Sequence, residues 1–211
     1  MTLRRTGFSL VTKEYRGKRV LDVLLTLVSS PLWIPIGLVC GALIRLDSPG
    51  PILFRQQRVG RAGTTFEVLK FRSMIHDPGG NPIIPDPLRI TRTGRVLRRL
   101  SLDELPQLLN VLRGEMSIVG PRPTLQYQVD RYDDRQRQRL AVRPGLTGLA
   151  QLKGRNVISW GDRIEWDLEY ISKQSPWLDL KLLALTPLTV LRGRGISGHP
   201  TDDPLVVQPP Q

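Results

Sequence analysis

The residues best equipped for chemistry in this chain cluster between positions 98 and 122. Asp103 and Glu104 are adjacent carboxylates, preceded by about one turn by Arg98 and Arg99. Arg122 follows in the rigid turn Gly120-Pro121-Arg122-Pro123. Acidic residues at a helix start ordinarily cap free amides and offset the helix dipole. The surrounding arginines give this pair a second reading. A carboxylate can attack phosphorus and form an acyl phosphate, while guanidinium groups and a divalent cation offset the growing charge. Ser101 with Glu104 matches a capping box, and Pro106 is tolerated only near a helix start. A helix is therefore expected to begin close to Asp103, carrying Leu105, Leu108, Leu109 and Leu112 and stopping at Gly114. Such a start would itself attract a phosphate.

The flanking segments must position this cluster. Arg89, Arg92, Arg95 and Arg98 recur every three residues and are expected to share one helical face. Residues 51–59 and 64–72 read as two strands around Gly60-Arg61-Ala62-Gly63, a hairpin signal. Residues 76–88 read as a loop, 126–140 as a charged helix and about 162–173 as another. Residues 177–192 are apolar but interrupted by Asp179, Lys181 and Pro187. That run is too short to span a bilayer and suits an interfacial or a core helix. The Gly193–Gly198 stretch matches GxGxxG but follows a helical run and opens no helix, so it is discounted.

Residues 20–44 hold 17 apolar residues in 25, with Asp22 the only charge. As one helix they would extend about 37 Å, enough to cross a bilayer. Ser29-Ser30-Pro31 interrupts the run, and Pro35 follows one turn later. Proline removes a backbone donor and bends the helix, and serine hydroxyls can satisfy the carbonyls so freed. Six basic residues lie in positions 1–19 and six in 45–72, so the positive-inside rule wants both ends in the cytoplasm. A helix–break–helix that enters one leaflet and returns, bent at Ser30 and Pro31, meets both demands. A single-pass anchor is the competing reading.

Composition narrows the rest. The 211 residues carry 31 basic and 19 acidic side chains, a net charge of +12. A hydrophobic share of 40% excludes a wholly disordered chain, and the single Cys40 excludes a disulfide scaffold or a cysteine zinc cluster. The 25 arginines against 6 lysines suit phosphate or anionic lipid. Charge alone would also fit a non-catalytic module binding lipid or nucleic acid. An aromatic share of 6% and the absence of any nucleic-acid motif argue against nucleic acid.

Taken together, Arg98-Arg99-Leu100-Ser101-Leu102-Asp103-Glu104-Leu105, Asn110-Val111-Leu112-Arg113-Gly114 and Val119-Gly120-Pro121-Arg122-Pro123 resemble the bacterial sugar transferases called monotopic phosphoglycosyl transferases. Lys70–Met74, Arg143–Gly148 and Gly154-Arg155-Asn156 match further blocks of that family, and Ser30-Pro31 matches the break of its re-entrant helix. The resemblance covers about Lys18 to Ser197. It implies transfer of a phosphosugar from a UDP-sugar to undecaprenyl phosphate, giving an undecaprenyl-diphosphate sugar and UMP. This is the opening membrane step of glycoconjugate synthesis, and glycosyltransferases act after it. Asp103 falls on the family's nucleophile, beside which Mg²⁺ binds, and Glu104 on its partner. Arg98, Arg122, Lys70, Arg72 and Arg155 are expected to bind substrate. The Gly154–Trp160 segment is similar to that of small members using N-acetylated amino sugars, so a UDP-N-acetyl sugar is favoured. The expected architecture is α+β and mainly helical: a basic segment at 1–17, a re-entrant membrane helix at 18–45, a catalytic domain with interfacial helices at 46–198, and a disordered tail at 199–211. The expected location is the bacterial inner membrane, with the catalytic domain on its cytoplasmic face.

Overall fold

The computed structural model describes residues 14–75, 89–154 and 158–191. Most of the basic N-terminal segment, the 76–88 loop, Arg155, the Gly193–Gly198 stretch and the tail lie outside the described residues. The described part is mostly helical, with two small two-stranded sheets.

Helix α1, Lys18–Val28, runs into α2, Ser30–Asp47, across a break at Ser29. Pro31 stands in the first turn of α2, where its missing N–H costs nothing. The carbonyls freed at the break find donors. Ser29 Oγ donates to Leu25 O at 2.7 Å, and Trp33 Nε1 donates to Thr26 O at 3.0 Å. Helix α1 is inside out for a helix in water. Its polar Lys18, Asp22 and Thr26 are buried, while Val20, Leu24, Leu27 and Val28 are exposed. Helix α2 is the one described helix long and apolar enough to cross a membrane by length and composition. It exposes Leu32, Leu38 and Leu46.

Both arms are fastened to the rest of the protein. Lys18 Nζ meets Asp179 Oδ2 at 2.6 Å, and Tyr15 and Tyr170 donate to the same carboxylate. Asp22 Oδ1 accepts from Ser117 Oγ and from the Ile118 amide. At the far end of α2, Asp47 accepts from the Thr93 amide at 2.9 Å.

Strands β1, Leu53–Val59, and β2, Thr65–Phe71, form the expected antiparallel hairpin, with Leu53 opposite Phe71 and Val59 opposite Thr65. Helix α3, Arg92–Arg99, is capped by Thr91, whose side chain accepts from the Gly94 amide. Arg89 precedes this helix, so the arginine row on it is Arg92, Arg95 and Arg98. A 3₁₀ turn at Leu102–Glu104 leads to α4, Gln107–Arg113. Gly114 ends α4 with φ +84°, and Arg19 donates to its last carbonyls at Val111 and Leu112. Buried Asn110 ties α4 to β2, accepting from the Leu69 amide at 3.0 Å and donating to Glu67 O at 2.7 Å.

Strands β3, Ser117–Val119, and β4, Gly145–Thr147, pair in parallel. The loop that follows β3 crosses the backbone of β4 so closely that a Cβ on Gly145 would stand 2.1 Å from Gly120 N. Only glycine permits that crossing. The helix expected over 126–140 is broken. It becomes a short α5, Gln126–Val129, and a 3₁₀ turn, Gln136–Ala141. Asp133 and Gln136 bond each other's backbone amides, a reciprocal cap that starts a new turn instead of continuing the old one. Helices α6, Leu149–Lys153, α7, Trp160–Lys173, and α8, Pro176–Leu191, complete the fold. The main core gathers Val68, Val111, Met116, Val119, Val142 and Tyr170. Leu182 and Asp179 of α8 are buried while Trp177 is exposed, so this helix packs on the core and also presents an apolar side outward.

Candidate active site

Four elements bring the charged residues together. Lys70 comes from β2, Arg98 from the last turn of α3, Asp103 and Glu104 from the 3₁₀ turn, and Arg122 from the loop after β3. They line one cavity of about 670 Å³, whose other walls include Leu146, Thr147, Gln151, Arg163 and the α8 residues Leu183, Thr186 and Pro187.

The dyad differs from the expected helix start. Ser101 stands in the left-handed region (φ +56°) with no side-chain cap, and α4 begins three residues after Glu104. There is no capping box, because Glu104 is engaged elsewhere. Arg122 Nη2 donates to Glu104 Oε1 at 2.5 Å and Nη1 to Oε2 at 3.4 Å, and Lys70 Nζ donates to Oε1 at 3.0 Å. Positive charge at the site therefore comes from side chains and not from a helix dipole.

The two carboxylates are driven apart electrostatically. Burial opposes ionisation of Glu104, but Arg122 and Lys70 outweigh it and hold the carboxyl well below the usual range. Burial pushes Asp103 up to about 6, helped by the negative charge of Glu104 and moderated by Lys70, Arg122 and Arg98. Asp103 makes no hydrogen bond among the described residues. Glu104 is thus a fixed anion holding two cations. Asp103 is the carboxylate free to react or to take a hard cation. Among the described residues no group of three or more His, Cys, Asp and Glu gathers. Asp103 alone fits the usual Mg²⁺ arrangement, in which one carboxylate acts with substrate phosphates and water.

Arg72 is placed differently from its neighbour Lys70. Its buried guanidinium donates to Ser48 O at 2.7 Å, to Ile44 O and to Pro49 O, closing the end of α2, and it does not line the cavity. Arg72→Met should strand these carbonyls and lower stability by roughly 3 kcal/mol, read as a fall in Tm. An unchanged Tm would remove this role. Arg58 was not apparent from sequence. It donates to Gln56 Oε1 at 2.6 Å and to Pro123 O at 3.4 Å, bracing the loop that carries Arg122. Burial and the charge of Arg122 bring its guanidinium down to about 10. Gln151 and Arg163 were missed as well, since neither belongs to a recognisable charged motif.

A family profile described as "Bacterial sugar transferase" matches residues 13–193. The "Uncharacterized sugar transferase EpsL" of Bacillus subtilis (strain 168) is 48% identical over 157 residues, covering 74% of this chain and 77% of that protein. A UDP-glucose:undecaprenyl-phosphate glucose-1-phosphate transferase of Caulobacter vibrioides is 45% identical, covering 82% of this chain and 69% of its own. A UDP-N-acetylgalactosamine-undecaprenyl-phosphate N-acetylgalactosaminephosphotransferase of Aeromonas hydrophila is 40% identical, covering 84% of this chain and 44% of its own.

Proposed function

Since the chain belongs to the bacterial sugar transferase family, we propose that it moves a phosphosugar from a UDP-sugar to undecaprenyl phosphate at the bacterial inner membrane. The observation that carries this reading is the Asp103 carboxylate, unbonded, raised in basicity and ringed by Lys70, Arg98 and Arg122 in one cavity. Asp103 Oδ attacks the phosphorus that bears the sugar. An O–P bond forms, the bond to the bridging oxygen breaks, and UMP leaves with that electron pair. A phosphate oxygen of the lipid then attacks the same phosphorus, and the Asp103–phosphorus bond breaks. Arg122 and Lys70, held by Glu104, face the charge that builds on the phosphoryl oxygens in both steps. The Arg98 guanidinium makes no hydrogen bond within the described residues and is the cation available to the lipid phosphate. Mg²⁺ held at Asp103 would supply Lewis-acid neutralisation of the pyrophosphate. A non-catalytic basic module leaves the paired arrangement of Asp103 and Glu104 without a purpose.

The sugar is decided by assay, because similar relatives are named for both glucose and N-acetylgalactosamine. UDP-glucose, UDP-galactose and their N-acetylated counterparts would be incubated with undecaprenyl phosphate and Mg²⁺ in detergent. UMP release beyond one equivalent, dependent on the lipid, is expected with at least one, the N-acetylated donors being favoured. No release from any of the four would defeat the reading.

Three features support a re-entrant membrane arrangement. At 1.5 Å per residue the 11 residues of α1 extend only about 16 Å, too short to span. Its outward face is apolar. The start of α1 and the end of α2 are both bonded to the same globular domain. These support a hairpin that dips into one leaflet with Ser29-Ser30-Pro31 at its deepest point. Ser30→Leu with Pro31→Leu should straighten the break and favour crossing. In sealed spheroplasts, cysteines near residue 5 and near residue 205 should both be shielded from outside reagent in the parent protein. Activity of the double variant should be largely lost. Labelling of one end of the parent from outside would establish a true crossing.

A further inference from the structure

The cavity has a second polar feature that the transfer steps do not use. Gln151, on α6, lines it, yet neither Oε1 nor Nε2 of its carboxamide has a hydrogen-bond partner among the described residues, and both atoms are buried. Buried polar groups are nearly always bonded, so an unsatisfied donor and acceptor on one side chain ask for a ligand that supplies both. The position is built for the amide. It folds back over Gly148, where an added Cβ would stand 2.8 Å from Oε1. The lining of the same cavity includes the apolar residues Leu146, Ala150, Leu183, Pro187 and Val190.

We propose that the Gln151 carboxamide reads the imide edge of uracil, seating the base of the nucleotide donor. This rests on the transferase reading above. Uracil carries a ring N–H beside a carbonyl oxygen on the same edge, so one primary amide can donate and accept at once. An acetamido group is trans, with its N–H and C=O pointing opposite ways, and cannot pair with one amide twice. Vicinal sugar hydroxyls could pair, but an apolar lining suits a flat ring better than a polyhydroxylated one. Uracil is also present whichever sugar is attached.

The test uses the full-length protein in detergent, titrated with UMP, which has the base and no transferred sugar. Gln151→Leu should weaken UMP binding by about 30-fold, the value of two neutral hydrogen bonds. Gln151→Glu, nearly isosteric but without a donor, should weaken it too. The KM for UDP-sugars should rise by a similar factor whichever sugar is carried, and the KM for undecaprenyl phosphate should not follow. A purely structural role predicts otherwise. The unliganded Tm of Gln151→Leu should equal or exceed that of the parent, because no internal bond is lost. UMP affinity unchanged by either substitution, a parent that binds no UMP, or a Tm several degrees lower in both variants would overturn the proposal. A KM rise confined to N-acetylated donors would place Gln151 on the sugar and overturn it as well. A parent that binds UMP through Gln151 yet turns over no donor would sink the transferase reading alone.

Discussion

Replacing Asp103 with asparagine should abolish the covalent intermediate and cut turnover by at least about 10⁴-fold, the scale on which loss of a nucleophile is felt. With UDP-sugar and no lipid acceptor, the parent should release one equivalent of UMP and gain the mass of a phosphosugar. Rapid quenching and intact-mass spectrometry would see the adduct before the acyl phosphate hydrolyses. Steady-state kinetics should be ping-pong, and intersecting double-reciprocal lines with no adduct would mean direct transfer. Attack needs the ionised carboxylate. Burial, reinforced by Glu104, lifts that ionisation to about 6, so the rate of adduct formation should be level above pH 6. Below that it should fall about tenfold per pH unit. The stability effect has the opposite direction. A carboxyl raised in the folded state binds its proton more tightly than in the unfolded chain. Its ionisation therefore costs stability that sets in above about pH 4 and is complete above 6. Without divalent cation, Asp103→Asn should be more stable than the parent at pH 8, by roughly 2 kcal/mol, and level with it near pH 4. A lower Tm for the variant at pH 8 would contradict the placement of Asp103.

The neighbouring substitution should behave in reverse. Glu104→Gln keeps shape and removes the charge that Arg122 and Lys70 share. Lys70 and the partly exposed Arg122 are then left facing each other, with Arg58 close behind Arg122. Breaking a partly exposed pairing of this kind costs roughly 1–3 kcal/mol, less than for a fully buried pair. We expect a clear fall in Tm and a loss of turnover of roughly 10²–10³-fold, since the phosphoryl group would lose its ordered cations. Adding Lys70→Met to Glu104→Gln should recover part of the Tm without recovering activity. Full activity in Glu104→Gln would show that these cations need no anchor. Adjacent carboxylates with opposite effects on stability would be a direct signature of their division of labour.

The parts that were legible in the sequence are those fixed by local chemistry. The hairpin followed from its turn residues, the break at Ser29 from Ser30 and Pro31, and the stop of α4 from Gly114. The dyad and its cations Arg98 and Arg122 were found by type and spacing, and Lys70 through the family resemblance of the block that carries it. What escaped was settled by partners distant in sequence. Ser101 and Glu104 match a capping box, yet Glu104 is held by Lys70, 34 positions earlier, and by Arg122, 18 later. Arg72 has the same charge as Lys70 two positions away but points to the α2 carbonyls, because it lies just past the end of β2, where the alternation of the strand no longer sets its direction. The 126–140 helix failed because Asp133 and Gln136 bonded the backbone. Arg58 and Gln151 have no motif to announce them.

The tie between Lys18 and Asp179 also governs how the protein is made. The two residues are 161 positions apart. At a synthesis rate of about 5–20 residues per second, the partner of Lys18 leaves the ribosome roughly 10–30 seconds after Lys18 itself. On the proposed hairpin arrangement, helices α1 and α2 would meet the bilayer while the ammonium group of Lys18 still lacks its counter-ion and must stay at the wet interface. The arrival of α8 neutralises it and closes the molecule around a contact of very high sequence separation. Helix α8 is in this sense a latch set at the end of translation. A chain interrupted before Asp179 would hold the two N-terminal helices with an uncompensated charge at their root, a ready substrate for quality-control proteolysis.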